Sequence, residues 1–288
     1  MSPQVSTAMV TLLVDNKALA GLGFEHGFAA WIEVSGRRVL LDTGQGAVLA
    51  GNAAALGIDL GAVDILVLSH GHFDHTGGIS QVLARAPAAE VYFHPAATGV
   101  RYAVRDAVAR SIGMPEAARG ALKRFVATRV HRVTEPAEIA PGVGLTGRID
   151  RHTNYEDTGG PFFLDSAGTR PDPISDDLAL WIRTDRGLVV VVGCSHAGLI
   201  NTLQHARRVS GEARLHAVVG GFHLGGAAAE RLERTVEALE ALAVERIVPC
   251  HCTGDAAVET LRQALGARVV PGAAGVSYTF GSAAGDGA

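Results

Sequence analysis

Short apolar runs that end in glycine, histidine or aspartate recur along this chain and set the order of its elements. Residues 7–15 (TAMVTLLVD) are apolar and β-branched, which predicts a first strand. A glycine-containing loop over 16–27 follows, and Phe28–Val34 with Arg38–Leu41 then reads as a hairpin around Ser35-Gly36. Ala47–Leu56 reads as a helix closed by Gly57, Ile65–Leu68 as a buried strand, and Ile79–Ala86 as a second helix. Glu90–His94 is a short strand, after which residues 96–125 turn helical in composition. Val130–Thr134, Val143–Thr146 and Leu178–Arg183 predict further strands, the last two separated by a long Gly-, Pro- and Asp-rich loop at 147–177. In the second half one pattern repeats: an apolar strand, then Gly or Cys, then His. LVVVV leads into Gly193-Cys194-Ser195-His196, His216–Val219 into Gly220-Gly221-Phe222-His223, and Arg246–Val248 into Pro249-Cys250-His251-Cys252. Helices at Leu199–Val209 and Glu230–Leu242 separate these runs, so the chain reads as α/β.

Composition narrows this picture. With 288 residues, 48% hydrophobic and 19% charged, the chain can bury one large core. The expectation is one domain over 1–288, with a helical cap inserted at about 96–128, a pocket loop at about 147–177 and a disordered tail at 274–288. A net charge of −4 supplies no bulk attraction to nucleic acid or acidic membranes. No stretch has the length and apolarity of a membrane span, and Met1–Ala8 lacks a signal peptide's basic start. Only Cys194, Cys250 and Cys252 occur, too few for a disulfide framework. A cytoplasmic protein acting on a small molecule is expected, with its oligomeric state open.

The candidate chemistry lies after Ile65–Leu68, where His70, His72, Asp74 and His75 fall within six residues. Three imidazoles and a carboxylate need partners if buried. Together they suit zinc or another borderline divalent ion, Mn2+ or Fe2+ included; the plain alternative is a solvated histidine-rich loop. Asp42, before Thr43-Gly44, is either a turn residue or part of the same site. Ligands gather at the carboxyl ends of strands in α/β sheets, so His196, His223 and His251 point to a centre shared with the His70–His75 cluster. His94, before Pro95, reads as structural. The arginines from Arg101 and Arg105 to Arg124 are either a solvated face or a cap for an anionic substrate. Arg148, His152 and Glu156 are contacts that the long loop could supply, and Cys250 and Cys252 read as small thiols beside the pocket.

With Leu41-Asp42-Thr43-Gly44, His70-x-His72-x-Asp74-His75 and the later strand-end histidines, the chain resembles the metallo-β-lactamase fold superfamily. The stretches GCSHAGLINTL (193–203), VVGGFHL (218–224), PCHCTG (249–254), VDN (14–16) and EHG (25–27) resemble its dihydropterin-ribofuranosylaminobenzene-phosphate synthase-like branch. The resemblance implies an αββα sandwich with one or two metals, Zn2+ foremost, at one edge. It implies His70 and His72 with a later histidine on the first metal, Asp74, His75 and His251 on the second, and Asp42 beneath, orienting ligands. Many members carry a bridging Asp where this chain has Gly193-Cys194-Ser195-His196, which leaves open whether His196 or His223 is the inner ligand.

The implied reaction is hydrolysis of a small anionic phosphoester or lactone by metal-activated hydroxide. Asp74 would align the nucleophile, His223 or a cap arginine would steady the developing charge, and Arg101, Arg105, Arg148, His152 and Cys194 would contact substrate. The alternatives are a synthase joining a dihydropterin to a ribofuranosyl-aminobenzene phosphate, and a metal-loaded binding protein without catalysis.

Overall fold

The unbroken apolar runs become strands covered on both faces in the computed structural model, which describes residues 4–282. In chain order the strands are β1 (Ala8–Val14), β2 (Ala29–Val34), β3 (Arg37–Leu41), β4 (Ile65–Val67), β5 (Glu90–Phe93), β6 (Tyr102–Arg105), β7 (Val108–Ser111) and β8 (Val130–Arg132). Then come β9 (Ala137–Ala140), β10 (Val143–Leu145), β11 (Phe162–Phe163), β12 (Ala179–Thr184), β13 (Gly187–Val192), β14 (Leu215–Gly221), β15 (Arg246–Cys250) and β16 (Ser277–Phe280). The helices are α1 (Leu49–Ala55), α2 (Phe73–Thr76), α3 (Ile79–Arg85), α4 (Glu116–Arg124), α5 (Leu199–Ser210), α6 (Ala229–Ala241) and α7 (Asp255–Leu265).

Among the described residues, one seven-stranded sheet has the order β16-β1-β2-β3-β4-β5-β8 and a six-stranded sheet the order β15-β14-β13-β12-β10-β9. Side chains alternate along a strand, and the two faces go to different layers. Leu41, Val67, Val189, Val191 and Val219 meet between the sheets. Leu40, Leu66 and Leu68 instead pack under Leu49, Val82 and Leu122 of α1, α3 and α4. Val190, Val192 and Val218 pack under Leu203, Leu239 and Leu261 of α5, α6 and α7. Two helical layers therefore enclose two sheets, the αββα sandwich expected from the sequence. Neither face of a central strand meets water, so its sequence shows no polar alternation.

Two expectations fail. Residues 96–128 do not form a helical cap: β6 and β7 make a hairpin, joined by β11 in a three-stranded sheet, and only α4 is a longer helix there. Asp106 and Ala107 form the two-residue loop with φ of 50° and 60°, the backbone a tight hairpin needs. Alanine and arginine favour helices in isolation, but pairing of Tyr102 and Ala103 with Phe163 and Phe162 overrides that weak preference. The expected disordered tail also contains a strand: Ser277–Phe280 pairs antiparallel with β1, Phe280 lying fully buried opposite Ala8. Residues 283–288 of that tail lie outside the described residues. Among the described residues no helix is long and apolar enough to cross a membrane.

Candidate metal centre

The carboxyl ends of β3, β4, β13, β14 and β15 deliver Asp42, His70, Cys194, His223 and His251 to one edge of the sandwich. To turn out of their strands, Asp42, Ser195, His223 and His251 take φ values of 62°, 54°, 46° and 47°. Left-handed backbone is costly for such residues and gathers where function demands a geometry. At Gly193 close approach is the requirement, since a Cβ there would meet Ser69 Oγ at 2.1 Å and Asp42 Oδ2 at 2.9 Å.

The histidines are aimed by hydrogen bonds on their far nitrogens. His70 Nδ1 lies 2.9 Å from Ser69 Oγ, leaving Nε2 for the centre, 3.0 Å from His72 Nδ1. His75 Nδ1 is 2.7 Å from Asp42 Oδ2, His196 Nδ1 is 2.7 Å from the Thr158 carbonyl, and His251 Nδ1 is 2.8 Å from Asn16 Oδ1. Outer partners of this kind fix the tautomer and direction of metal-binding imidazoles. The inward Nε2 atoms of His196 and His251 are buried with no hydrogen-bond partner, although His251 Nε2 lies 3.3 Å from Asp74 Oδ2. A buried imidazole nitrogen without a partner is costly in a core and correct for a cation. The donor set thus fits a divalent ion: His70, Cys194 and His196 offer ligand atoms within 4.8 Å of one another, as do His75, Cys194 and His251.

Electrostatics favour the neutral ring at three of these histidines and the charged ring at His75. Burial and neighbouring imidazoles hold His70 and His196 well below the usual histidine range, and burial brings His72 to about 3. Each shift favours the neutral ring, the form that binds metal. Burial also disfavours charge on His75, but Asp42 and Asp74 outweigh it and raise this group to about 9. Burial works against the Asp74 carboxylate, yet His75, His251 and His26 hold its pKa well below the ordinary value.

His70, His72, Asp74, His75, His196 and His251 are thus brought together over Asp42, and the His223 ring lies 4.4 Å from that of His196. The substrate contacts expected elsewhere do not assemble. Arg101 is buried, 2% exposed, between Asp172 and Asp176. Arg105 is exposed on the hairpin with Asp106 and Arg110. Arg148 and His152 border a surface cavity of about 400 Å³ with Asp150 and Pro173. Cys194, expected to touch substrate, is 2% exposed inside the cluster, 3.1 Å from His75 Nε2. Glu156 caps α5, accepting the Ile200 and Asn201 amides at 2.8 and 3.0 Å. Glu156→Gln leaves a single acceptor oxygen and weakens the charge at a helix N-terminus, so a loss of about 1 kcal/mol is expected in thermal unfolding.

Cys252, expected only as a thiol beside the pocket, lies with its Sγ 3.3 Å from Cys194 Sγ. The sequence assigned no role to His26, whose Nε2 lies 3.2 Å from Asp74 Oδ2. Nor did it assign Asp15 and Asn16, which hold the His251 amide and ring, or Phe162, whose ring is 5.2 Å from that of His72. The stretches VDN and EHG contained the signal for Asp15, Asn16 and His26; nothing local marked Phe162. Asp176 accepts the Gly71 amide at 2.8 Å, so the long loop clamps the backbone between two of the histidines. A Cβ on Gly71 would lie 2.0 Å from the Ala97 carbonyl oxygen. Gly71→Ala must therefore displace backbone, and elemental analysis is expected to find metal binding reduced at least about 10-fold in a folded protein.

The sequence profile of the metallo-beta-lactamase superfamily matches residues 22–251. Over 244 residues the chain is 31% identical to the 7,8-dihydropterin-6-methyl-4-(beta-D-ribofuranosyl)-aminobenzene-5'-phosphate synthase of Methanocaldococcus jannaschii, covering 80% of this chain and 81% of that one. It is 30% identical over 256 residues to an uncharacterized protein of the same organism, covering 88% and 94%. A crystal structure of a metal-dependent hydrolase of the beta-lactamase superfamily matches with a TM-score of 0.80 at 32% identity, covering 94% of this chain and 98% of the other. The Bacillus subtilis fold protein YhfI, at 11% identity and a TM-score of 0.58, shares the fold alone, over 96% and 100%. With its αββα layers and this histidine-rich edge, the chain belongs to the metallo-β-lactamase superfamily.

Proposed function

We propose that this protein is a metal-dependent hydrolase of a small phosphoester or lactone-like substrate. The observation that carries the reading is the set of buried imidazoles, each steered by a hydrogen bond on one nitrogen, around Asp74 and Cys194. His70, His72 and His196 would hold one divalent ion and Asp74, His75 and His251 a second. When bound, such ions act as Lewis acids and lower the pKa of water toward about 7.

The chain's own groups then have defined tasks. Asp74 would align the attacking water, its carboxylate held by His26 on one side and approached by His251 on the other. His223 stands beside a cavity of about 360 Å³ that also exposes Thr158, Gly225 and Arg231. Burial lowers the His223 pKa, but Cys252 outweighs it and the net shift is upward, which favours a ring proton that His223 can offer toward developing negative charge. Arg231, 5% exposed and paired with Asp157, supplies cationic character to that wall. Phe162 covers the His72 and His196 rings at 5.2 and 5.5 Å and limits water at the centre.

The test is elemental analysis of wild type beside His72→Ala and His251→Ala, with phosphomonoester, phosphodiester and lactone substrates. About two divalent ions per chain are expected in wild type, with turnover falling at least about 100-fold in either variant. Turnover that survives both substitutions, or protein that takes up no metal, overturns the proposal. A second reading, a synthase using a pterin and a ribosyl phosphate, is favoured by the name of the 31% identical relative. Bound metal, no hydrolysis and product from dihydropterin and aminobenzene-ribosyl phosphate precursors would select it.

A further inference from the structure

Three candidate ligand groups meet at a single atom, Cys194 Sγ, and two of them are built from histidines alone beside it. Cys194 Sγ lies within 4.8 Å of the ligand nitrogens of His70 and His196, and within the same distance of those of His75 and His251. Each pair belongs to one of the sets proposed above for the first and second ions, and among the described residues no other side chain belongs to both groups. We propose that the Cys194 thiolate is the inner ligand shared by the two ions. This rests on the metal-centre reading above and adds the identity of the shared donor.

The surroundings of Cys194 are unlike those of an inert core thiol. A structural cysteine packs as a small hydrophobe, whereas this sulfur is 3.1 Å from His75 Nε2 and beside a His196 Nε2 that has no hydrogen-bond partner. Gly193 lets β13 press against Ser69 and Asp42, which sets the next residue between the histidines of β4 and those of the later strands. A soft thiolate at this place favours zinc over harder divalent ions. The thiol proton leaves to solvent as the ion binds, with no change of oxidation state. Cys252 Sγ, 3.3 Å from Cys194 Sγ, forms the third group with Cys194 and His223, without any of the four histidines, and is the rival sulfur ligand.

The experiment loads Co2+ into the reduced full chain of wild type, Cys194→Ser, Cys252→Ser and Cys194→Asp, reading near-ultraviolet absorption and metal per chain. Wild type and Cys252→Ser are expected to show a thiolate-to-cobalt charge-transfer band with about two ions per chain. Cys194→Ser is expected to lose the band and bind the second ion at least about 100-fold more weakly. Cys194→Asp restores a shared acidic ligand, so it recovers both ions without the band and guards against a folding defect in the serine variant. A wild type that binds two ions without the band overturns the thiolate assignment while leaving the metal centre standing. A band that survives in Cys194→Ser, or disappears in Cys252→Ser, moves the ligand to Cys252. Failure of wild type to bind Co2+, Zn2+, Mn2+ or Fe2+ removes the metal centre and the shared ligand together.

Discussion

Asp42→Ala is expected to weaken divalent-ion binding about 10- to 100-fold and to lower stability by about 3 kcal/mol or more. The Asp42 side chain is fully buried and serves three donors: the Ser69 amide at 2.7 Å, the Ser69 hydroxyl at 2.6 Å and His75 Nδ1 at 2.7 Å. Removing it leaves a raised-pKa imidazole without its main anionic partner and frees the His75 ring to turn. Through Ser69 it also loosens His70, which shares that hydroxyl at 2.9 Å. One aspartate therefore aims a histidine at each of the two proposed ion positions. Asp42→Asn separates the effects: asparagine tolerates the φ of 62° and keeps one acceptor, so metal affinity falls with less loss of stability. Chelator competition and urea unfolding measure the two quantities. Unchanged affinity in both variants would remove Asp42 from the site's support.

Arg101→Met is expected to cost about 3–5 kcal/mol in urea unfolding, the range for breaking a buried ion pair by removing one partner. The guanidinium lies between Asp172 and Asp176, with side-chain exposures of 2%, 2% and 0%. Asp172 is already raised by burial against the opposing pull of Arg101, and without the arginine both carboxylates face an apolar interior. Asp176 also holds the Gly71 amide, so metal content should fall along with stability. Arg105→Ala, on the exposed hairpin, is the control and should stay within about 0.5 kcal/mol of wild type. The sequence offered both arginines as a solvated face or as contacts for an anionic substrate; the buried triad instead predicts that Arg101 variants lose function toward every substrate. A stable Arg101→Met protein with selective loss of phosphoester turnover would reverse that conclusion.

The periodicity of the chain was enough for the sandwich and for the strand ends. Val189 to Val192 and Leu66 to Leu68 are apolar at every position because each faces a covered layer on both sides, a pattern visible without coordinates. The His70–His75 spacing and the strand-end His196, His223 and His251 were equally legible, since their residue types suit few other environments. The hairpin at Tyr102–Ser111 was not. Its alanines and arginines have helical preferences of a few tenths of a kcal/mol, and pairing with Phe162 from a distant loop decides the outcome.

By itself, then, the sequence determined the fold class, most of the candidate metal-ligating side chains and the edge of the sheets where they gather. Those features follow from short-range patterns of polarity and from the direction in which each strand ends. Tertiary structure alone decided which partners those side chains have. It buried Arg101 in an ion triad, put Cys194 among four histidines and gave Glu156 to a helix end, because each depends on contacts between segments far apart in the chain.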